Sequence, residues 1–358
     1  MARRAQEKTT LSLQYLTEGV RQGEKVLYVT LSETKNELLA VAASHGLSLD
    51  GVEIVELIAA EEDLDPNNQY TMYQPSEIEL NVTTKAILDR VEELKPKRVV
   101  IDSLSEIKLL AQTALRFRRQ VLALKQYFAG RECTVFVLDD KTAMLDDNLQ
   151  LESIAHGVIS LEQLSPEYGA ERRRLRITKL RGQRYRGGYH DFTIVKGGLS
   201  VFTRIVAAEH VERHSTKPVR SGIPEMDTLI GGGIEEGSSV LLLGPAGVGK
   251  STLSLQYAVE AARNGDSSII YTFDERIETM LLRTDGLGIP LREYHQKGLV
   301  QIRAVDPAEL SPGEFAHDVR KAVDGGNKHS PVKIIVIDSL NGLPQRHAGG
   351  ALPERAAA

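Results

Sequence analysis

The sequence predicts an α/β protein built from two tandem copies of one domain, each a mostly parallel sheet covered by helices. An eight-residue phrase occurs twice, as KTTLSLQY at 8–15 and KSTLSLQY at 250–257. At the same offset Gly23 answers Gly265, Thr30 answers Thr272, Glu33 answers Glu275, Gly46 answers Gly288 and Leu49 answers Leu291. RVVIDSL and KIIVIDSL then pair Asp102 with Asp338 at a slightly shorter offset. Self-similarity on this scale is the mark of a duplicated structural unit. Within each copy, short β-branched and aliphatic runs alternate with longer segments of helical period, the pattern of βαβ units.

The first copy supplies VLYVTL, EIVEL, RVVIDS and TVFVLD as strands. It runs on through VISLEQL, RRLRITKL and FTIVKGGLSVF, separated by SPEYGAE and RGQRYRGGYHD, which predicts a terminal antiparallel hairpin and meander. The second copy offers SSVLLLG as a first strand, a helix from about Lys250 to Asn264, and then SIIYTF, VQIRAV and KIIVID. These runs place one domain at 1–206, a mixed polar linker at 207–220 and the second domain at 221–340. The Ala/Gly/Pro-rich tail at 341–358 has no strand period and reads as disordered.

Composition bounds the function. With 358 residues, 41% hydrophobic and 26% charged, the chain falls in the ordinary globular class and has room for two cores. A formal charge of −5 gives no global attraction for nucleic acid or anionic membrane. The single cysteine, Cys133, excludes an intrachain disulfide and suits a reducing cytoplasm. No apolar run approaches the ~20 residues of a spanning helix, and MARRAQEK leads into no signal-peptide core. The basic amphipathic run RFRRQVLALKQYF reads as a core-facing helix rather than a membrane binder. His210 and His214 lack the acid placement and third ligand of a zinc site and read as linker polarity.

Chemistry concentrates in the second copy. Gly244, Pro245, Ala246, Gly247, Val248, Gly249, Lys250 and Ser251 spell GPAGVGKS, which satisfies GxxxxGK[ST] between an apolar run and a helix. Such glycines let consecutive backbone N–H groups converge on one phosphate, and the helix N-terminus adds its positive end. Lys250 would reach the β and γ phosphates, the Ser251 hydroxyl would take a Mg²⁺ position, and Thr252 completes the loop. Asp338, at the end of the buried run IIVI, reads as a metal-side carboxylate beside that loop. Asp274 and Glu275, at the end of the neighbouring strand, are candidates to orient and deprotonate an attacking water. Helix N-capping is the competing reading for that pair, because ERIETM opens a helical period at once.

SGIPEMD, the glycine loop with STLSLQY after it, IIVIDSL, and ITKLRGQRYRGGYHDFTIVKGGLSVF together resemble the KaiC family of RecA-like ATPases in its two-domain form. The resemblance covers nearly the whole chain. It implies tandem RecA-like P-loop NTPase domains and ATP bound with Mg²⁺ between subunits of a hexameric ring. It further implies ATP hydrolysis, and, in circadian-clock members, serine/threonine autokinase activity with clock or signalling partners. By the same resemblance the acids of the FDE position activate water or a hydroxyl, and the KLRG segment aims Lys179 and Arg181 at a neighbour's γ-phosphate. Arginine's planar fork suits phosphate oxygens, whereas lysine brings a point charge. A solvated basic hairpin is the competing reading, since Arg172, Arg173, Arg174, Arg176, Lys179, Arg181, Arg184 and Arg186 crowd this region.

The first copy departs from the pattern. Ala2, Ala5 and Glu7 stand where the second has Gly244, Gly247 and Gly249, and Ser32 replaces the first acid, so this copy is expected to bind ATP poorly or not at all. After Asp338 the second copy lacks the run that TVFVLD supplies in the first. The expectation is a truncated or frameshifted form of a longer two-copy protein, lacking the first strand of one copy and the last strands of the other. Two other readings stand behind a KaiC-like ATPase: a RecA-like DNA-binding motor, for which no basic stretch beyond the hairpin speaks, and a scaffold fragment that binds nucleotide without turnover. Sequencing the genomic flanks tests the truncation: an upstream in-frame segment encoding a Gly-rich loop is expected, and a genuine start signal without one overturns it.

Overall fold

The aliphatic runs of the first copy pair side by side as parallel strands, and the helices between them cover both faces of the resulting sheet. The computed structural model describes residues 2–57, 75–140, 148–166, 169–206, 217–325 and 332–339. The chain forms two units, the first comprising Met1–Gln163 with Arg173–Val201 and the second Leu164–Arg172 with Phe202–Ala358.

The first unit runs α1 (Ala2–Arg21), β1 (Val26–Thr30), α2 (Lys35–Ser44), β2 (Val52–Glu56), α3 (Pro75–Leu94), β3 (Arg98–Asp102), α4 (Leu104–Ala111), α5 (Ala114–Ala129) and β4 (Thr134–Val137). These strands form a parallel sheet in the order β2-β1-β3-β4. Every residue of β1 is buried, as a central parallel strand with helices on both faces requires. Alternation along the strands fills two cores. Leu27, Val29, Val99 and Ile101 pack with Ile87, Ile107 and Phe117, while Val26, Tyr28 and Val100 pack with Leu13, Leu16 and Leu38. A reciprocal cap starts α2: Thr34 Oγ1 accepts from Glu37 N at 3.3 Å, and Glu37 Oε2 accepts from Thr34 N at 2.8 Å. Phe117, Leu124 and Phe128 of α5 are buried, so this helix faces the core as expected.

Beyond a short α6 (Asn148–Ile154) come β5 (Gly157–Leu164), β6 (Arg172–Leu180), β7 (His190–Val195) and β8 (Gly198–Phe202). They make a second sheet in chain order, with β6 and β7 antiparallel through Arg173↔Phe192 and Leu175↔His190. This is the hairpin and meander that the spacing predicts. Gln14 of α1 holds it, accepting from Leu199 N through Oε1 at 3.0 Å.

The second unit contains β9 (Pro218–Val219), α7 (Pro224–Leu229), β10 (Ile234–Glu235), α8 (Lys250–Arg263), β11 (Ser267–Thr272), α9 (Ile277–Gly286), α10 (Leu291–Gln296), β12 (Val300–Ala304), α11 (Pro312–Gly325) and β13 (Val332–Asp338). A parallel sheet in the order β12-β11-β13 repeats the first unit's β2-β1-β3. The repetition extends to single residues. Thr30 pairs with Asp102 and Thr272 with Asp338, and Leu31 N and Phe273 N donate to the Asp102 and Asp338 carbonyls at 2.7 and 3.0 Å. Leu255, Val259, Ile270, Met280 and Val336 fill one face of this sheet. Ile269, Tyr271 and Phe315 fill the other, with the Tyr271 and Phe315 rings edge to face at 5.2 Å.

Residues 207–216 of the expected linker and the whole expected tail lie outside the described residues, whereas Pro218–Val219 pair antiparallel with Ile234–Glu235. The run SSVLLLG, expected as a strand, is not one: Val240, Leu241 and Leu243 are 55, 64 and 83% exposed. A strand exists only through its ladder. Here the sheet is β12-β11-β13, no counterpart of β4 follows β13 among the described residues, and the run pairs with none of the three strands. Among the described residues no helix is long and apolar enough to cross a membrane.

Leu255 is fully buried where α8 meets its sheet. Leu255→Ala is expected to destabilise the second unit by about 2–5 kcal/mol, read as a lower denaturant midpoint for that unit's unfolding.

Candidate functional site

The segment from Gly244 to Gly249 forms a tight, exposed loop that runs straight into α8 at Lys250. Gly249 is the residue before the helix, with φ +97, and Gly247 has φ +80. A Cβ at either would meet nothing within 4 Å, so glycine is demanded here by backbone conformation rather than by crowding. No side chain caps the first turn of α8. Its unpaired N–H groups and the positive end of the helix dipole therefore face the loop. Lys250 folds back over that loop, its Nζ donating to Gly244 O at 2.8 Å and Pro245 O at 2.9 Å. Such a curled backbone before an uncapped helix has the donor set that suits phosphate oxygens.

SGIPEMD braces α8 from the side. Ser221 donates to Asp227 Oδ1 from both N and Oγ at 2.8 Å, and the backbone donation holds the Asp227 carboxyl below the usual carboxylate range. Gly222 lies close against α8, where a Cβ would come within 2.6 Å of Glu260 Oε2.

The acids gather at the carboxyl ends of β11 and β13. Asp338 is paired with Thr272, and Ser339 Oγ donates to Asp274 Oδ2 at 3.4 Å. Glu275 sits in a turn built on Thr272, whose Oγ1 accepts from Glu275 N at 3.3 Å and donates to Glu275 O at 3.0 Å. Its carboxylate is gripped by Arg283: Nε donates to Oε1 at 3.0 Å and Nη2 to Oε2 at 2.8 Å. A third donor, Nη1, reaches Thr252 Oγ1 at 3.3 Å, linking the acid to the first turn of α8. The hydrogen bonds to Glu275, then the charges of Glu275 and Asp338, hold the Arg283 guanidinium above its ordinary pKa against the opposing effect of burial. Capping does not explain the acidic pair, because the residue that precedes α9 is Arg276 and no side chain caps that helix. Arg283 was not among the sequence candidates. It lies two turns into α9, and neither motif nor helical period marks it.

Lys179 and Arg181 belong to the first unit, where they close the end of α6. Lys179 Nζ donates to Glu152 O at 2.6 Å and Ser153 O at 3.1 Å, Arg181 Nη2 donates to Ser153 O at 3.1 Å, and Lys125 Nζ adds a bond to Ile154 O. Cations on the last carbonyls of a helix complement its dipole. Desolvation, then the charges of Arg181 and Lys125, depress the Lys179 ammonium. His210 and His214 lie outside the described residues.

The first unit keeps the scaffold and fills the site with its own side chains. Glu7, in the place of Gly249, is 4% exposed inside α1 and accepts from Arg173 Nε at 2.8 Å. Lys8, in the place of Lys250, donates to Asp139 O at 2.8 Å and forms an ion pair with Asp140. Asp102, in the place of Asp338, accepts from Tyr28 OH at 2.5 Å, and burial pushes its carboxyl up. Glu33 repeats the Thr-anchored turn through Thr30, at 2.9 and 2.7 Å. Val41 replaces Arg283, and Glu33 Oε2 is buried without a hydrogen-bond partner. Burial, then the charges of Asp102 and Glu37, push the Glu33 carboxyl up.

A parallel sheet with flanking helices, a glycine loop opening into a helix, and acids at the neighbouring strand ends define an α/β P-loop fold. A family model described as "ATPase: KaiC" matches residues 5–205 and 219–352, and the chain belongs to this KaiC ATPase family. Circadian clock oscillator protein KaiC of Parasynechococcus marenigrum (strain WH8102) is 26% identical over 365 residues, covering 96% of this chain and 70% of the relative. Proteins of the same name from Acaryochloris marina (strain MBIC 11017) and Synechococcus elongatus (strain ATCC 33912 / PCC 7942 / FACHB-805) are 27 and 26% identical, over 94% of this chain and 64% of their own length. The chain thus spans about two thirds of the length of these curated relatives.

The raised Glu33 pKa carries a pH signature. The ionised form is disfavoured in the fold, so Glu33 costs nothing at acid pH and destabilises increasingly as pH rises through the ordinary glutamate range toward its raised folded value. Glu33→Gln is expected to raise the thermal midpoint at neutral pH, with the gain vanishing on acidification; equal gain at all pH values contradicts this origin.

Proposed function

We propose that the second unit binds ATP with Mg²⁺ at Gly244–Thr252 and hydrolyses it. Family membership supports an ATPase, and the observation that carries the site is the left-handed Gly247 and Gly249 ahead of an uncapped α8. In this reading Lys250 exchanges its two loop carbonyls for β and γ phosphate oxygens. Ser251 and Asp338 would hold Mg²⁺, which neutralises phosphate charge when bound. Asp274 and Glu275 orient the nucleophile. The oxygen of water bonds to the γ-phosphorus as the bridging P–O bond to ADP breaks, and one water proton passes to a carboxylate.

We further infer that the chain divides functionally into a silent domain at 1–206 and an active one at 221–340. Glu7 places a carboxylate where the loop of the second copy is glycine, and its partner Arg173 already satisfies that charge. Family resemblance extends the proposal to a hexameric ring in the cytoplasm, in which Lys179 and Arg181 leave the α6 carbonyls for a neighbour's γ-phosphate. Serine/threonine autophosphorylation and a clock or signalling role come from the same source, the latter through the printed names of the relatives.

Calorimetric titration with Mg-ATP tests the reading. One nucleotide per chain is expected, and Lys250→Ala is expected to weaken binding about 10- to 100-fold, the worth of a lost charge-assisted contact. Phosphate release should fall with it. Affinity indifferent to Lys250 overturns the assignment of the site, and a second bound nucleotide overturns the silent first domain.

A further inference from the structure

Arg283 meets Glu275 as a planar fork on a carboxylate, at 3.0 and 2.8 Å. Two parallel N–H···O bonds of this kind fix both the position and the plane of the carboxylate, which a lysine's point charge cannot do. The third guanidinium nitrogen is engaged as well, at 3.3 Å from Thr252 Oγ1. Thr252 lies in the first turn of α8, beside Lys250 and Ser251. One side chain on α9 therefore joins the acid at the end of β11 to the helix that the glycine loop opens.

The first unit serves as an internal control. Glu33 occupies the corresponding position in the same turn, anchored through Thr30 as Glu275 is through Thr272. Val41 stands where the second unit has Arg283. The turn forms without an arginine, so Arg283 is not what folds it. What changes is the state of the acid, for Glu33 has one buried oxygen with no hydrogen-bond partner, whereas both oxygens of Glu275 are bound. The arginine accompanies the copy with the intact glycine loop, and the valine accompanies the copy whose loop is replaced by helix.

We propose that Arg283 is the positioning residue for Glu275, aiming its carboxylate from the end of β11 toward the Gly244–Ser251 loop and keying that aim to α8 through Thr252. This rests on Mg-ATP hydrolysis by the second unit. A base must lie within hydrogen-bond reach of the proton it takes, and misplacement by about 1 Å costs roughly 100-fold in rate. In this arrangement Arg283 acts through Glu275.

The test uses the full chain and four variants: Arg283→Met, Arg283→Lys, Glu275→Gln, and Arg283→Met combined with Glu275→Gln. Steady-state ATP hydrolysis and Mg-ATP affinity are measured for each, with Lys250→Ala as the control for the site itself. Arg283→Met is expected to lower kcat about 10- to 100-fold while Mg-ATP affinity stays unchanged. Arg283→Lys, which preserves charge and most of the packing, is expected to recover part of the loss. In the Glu275→Gln background, removing Arg283 should cost nothing more, because the group it positions no longer acts as a base. An unchanged or higher kcat in Arg283→Met overturns the proposal. So does a loss that adds in full to that of Glu275→Gln, or one matched by lost nucleotide affinity. If the parent chain shows no Lys250-dependent turnover, both this proposal and the ATPase reading fall; if turnover is present and Arg283→Met retains it, only the role of Arg283 falls.

Discussion

Parallel pairing of β11 with β13 is the constraint on which the candidate site depends. It sets Thr272 beside Asp338 and brings both carboxyl ends to one edge, so the residues that follow, Asp274, Glu275 and Ser339, emerge together. Parallel strands reach this arrangement only because crossover helices return the chain to the same end each time. In open α/β sheets, that edge is where ligands are held. The glycine loop is unlike the acids in this respect. It takes its geometry from α8 and its own positive-φ residues, not from a strand in the ladder.

The two units are a comparison the chain makes with itself. Both have a central buried strand, the same Thr–Asp pairing and the same Thr-anchored turn ending in glutamate. They part at the phosphate position. In the second unit an uncapped helix start faces an exposed loop. In the first, α1 continues through the corresponding residues, and Glu7, Lys8 and Asp102 are each met by a protein group, namely Arg173, Asp140 and Tyr28. A buried carboxylate with an arginine partner is tolerable where a lone one is not, which lets Glu7 persist at 4% exposure. The scaffold thus tolerates both an open anion cradle and one closed by internal charges.

Much of this was legible in the chain's own repetition. KTTLSLQY and KSTLSLQY, with RVVIDSL and KIIVIDSL, carry the duplication, and the strands and helices they mark are present. The hairpin and meander of the first unit followed from spacing, because turn residues punctuate alternating runs wherever both strands are close in sequence. The apolar run before Gly244 has strand character in the sequence but forms no strand, for a related reason. Hydrophobic strand propensity is local, whereas a ladder partner is not, and Val240, Leu241 and Leu243 lie exposed without one.

By itself the sequence determined the internal repetition, the α/β class, the glycine positions that a left-handed loop requires, and the acids at the strand ends. Those are properties of local chemistry and of a period that repeats. Only the tertiary structure decided who meets whom: Arg283 on Glu275 and Thr252, Glu7 on Arg173, and Lys179 and Arg181 on the carbonyls ending α6. A charged side chain's partner depends on the packing of separate helices and strands around one core. No spacing along the chain encodes that meeting, so the electrostatics of both units became visible only once the sheets had closed.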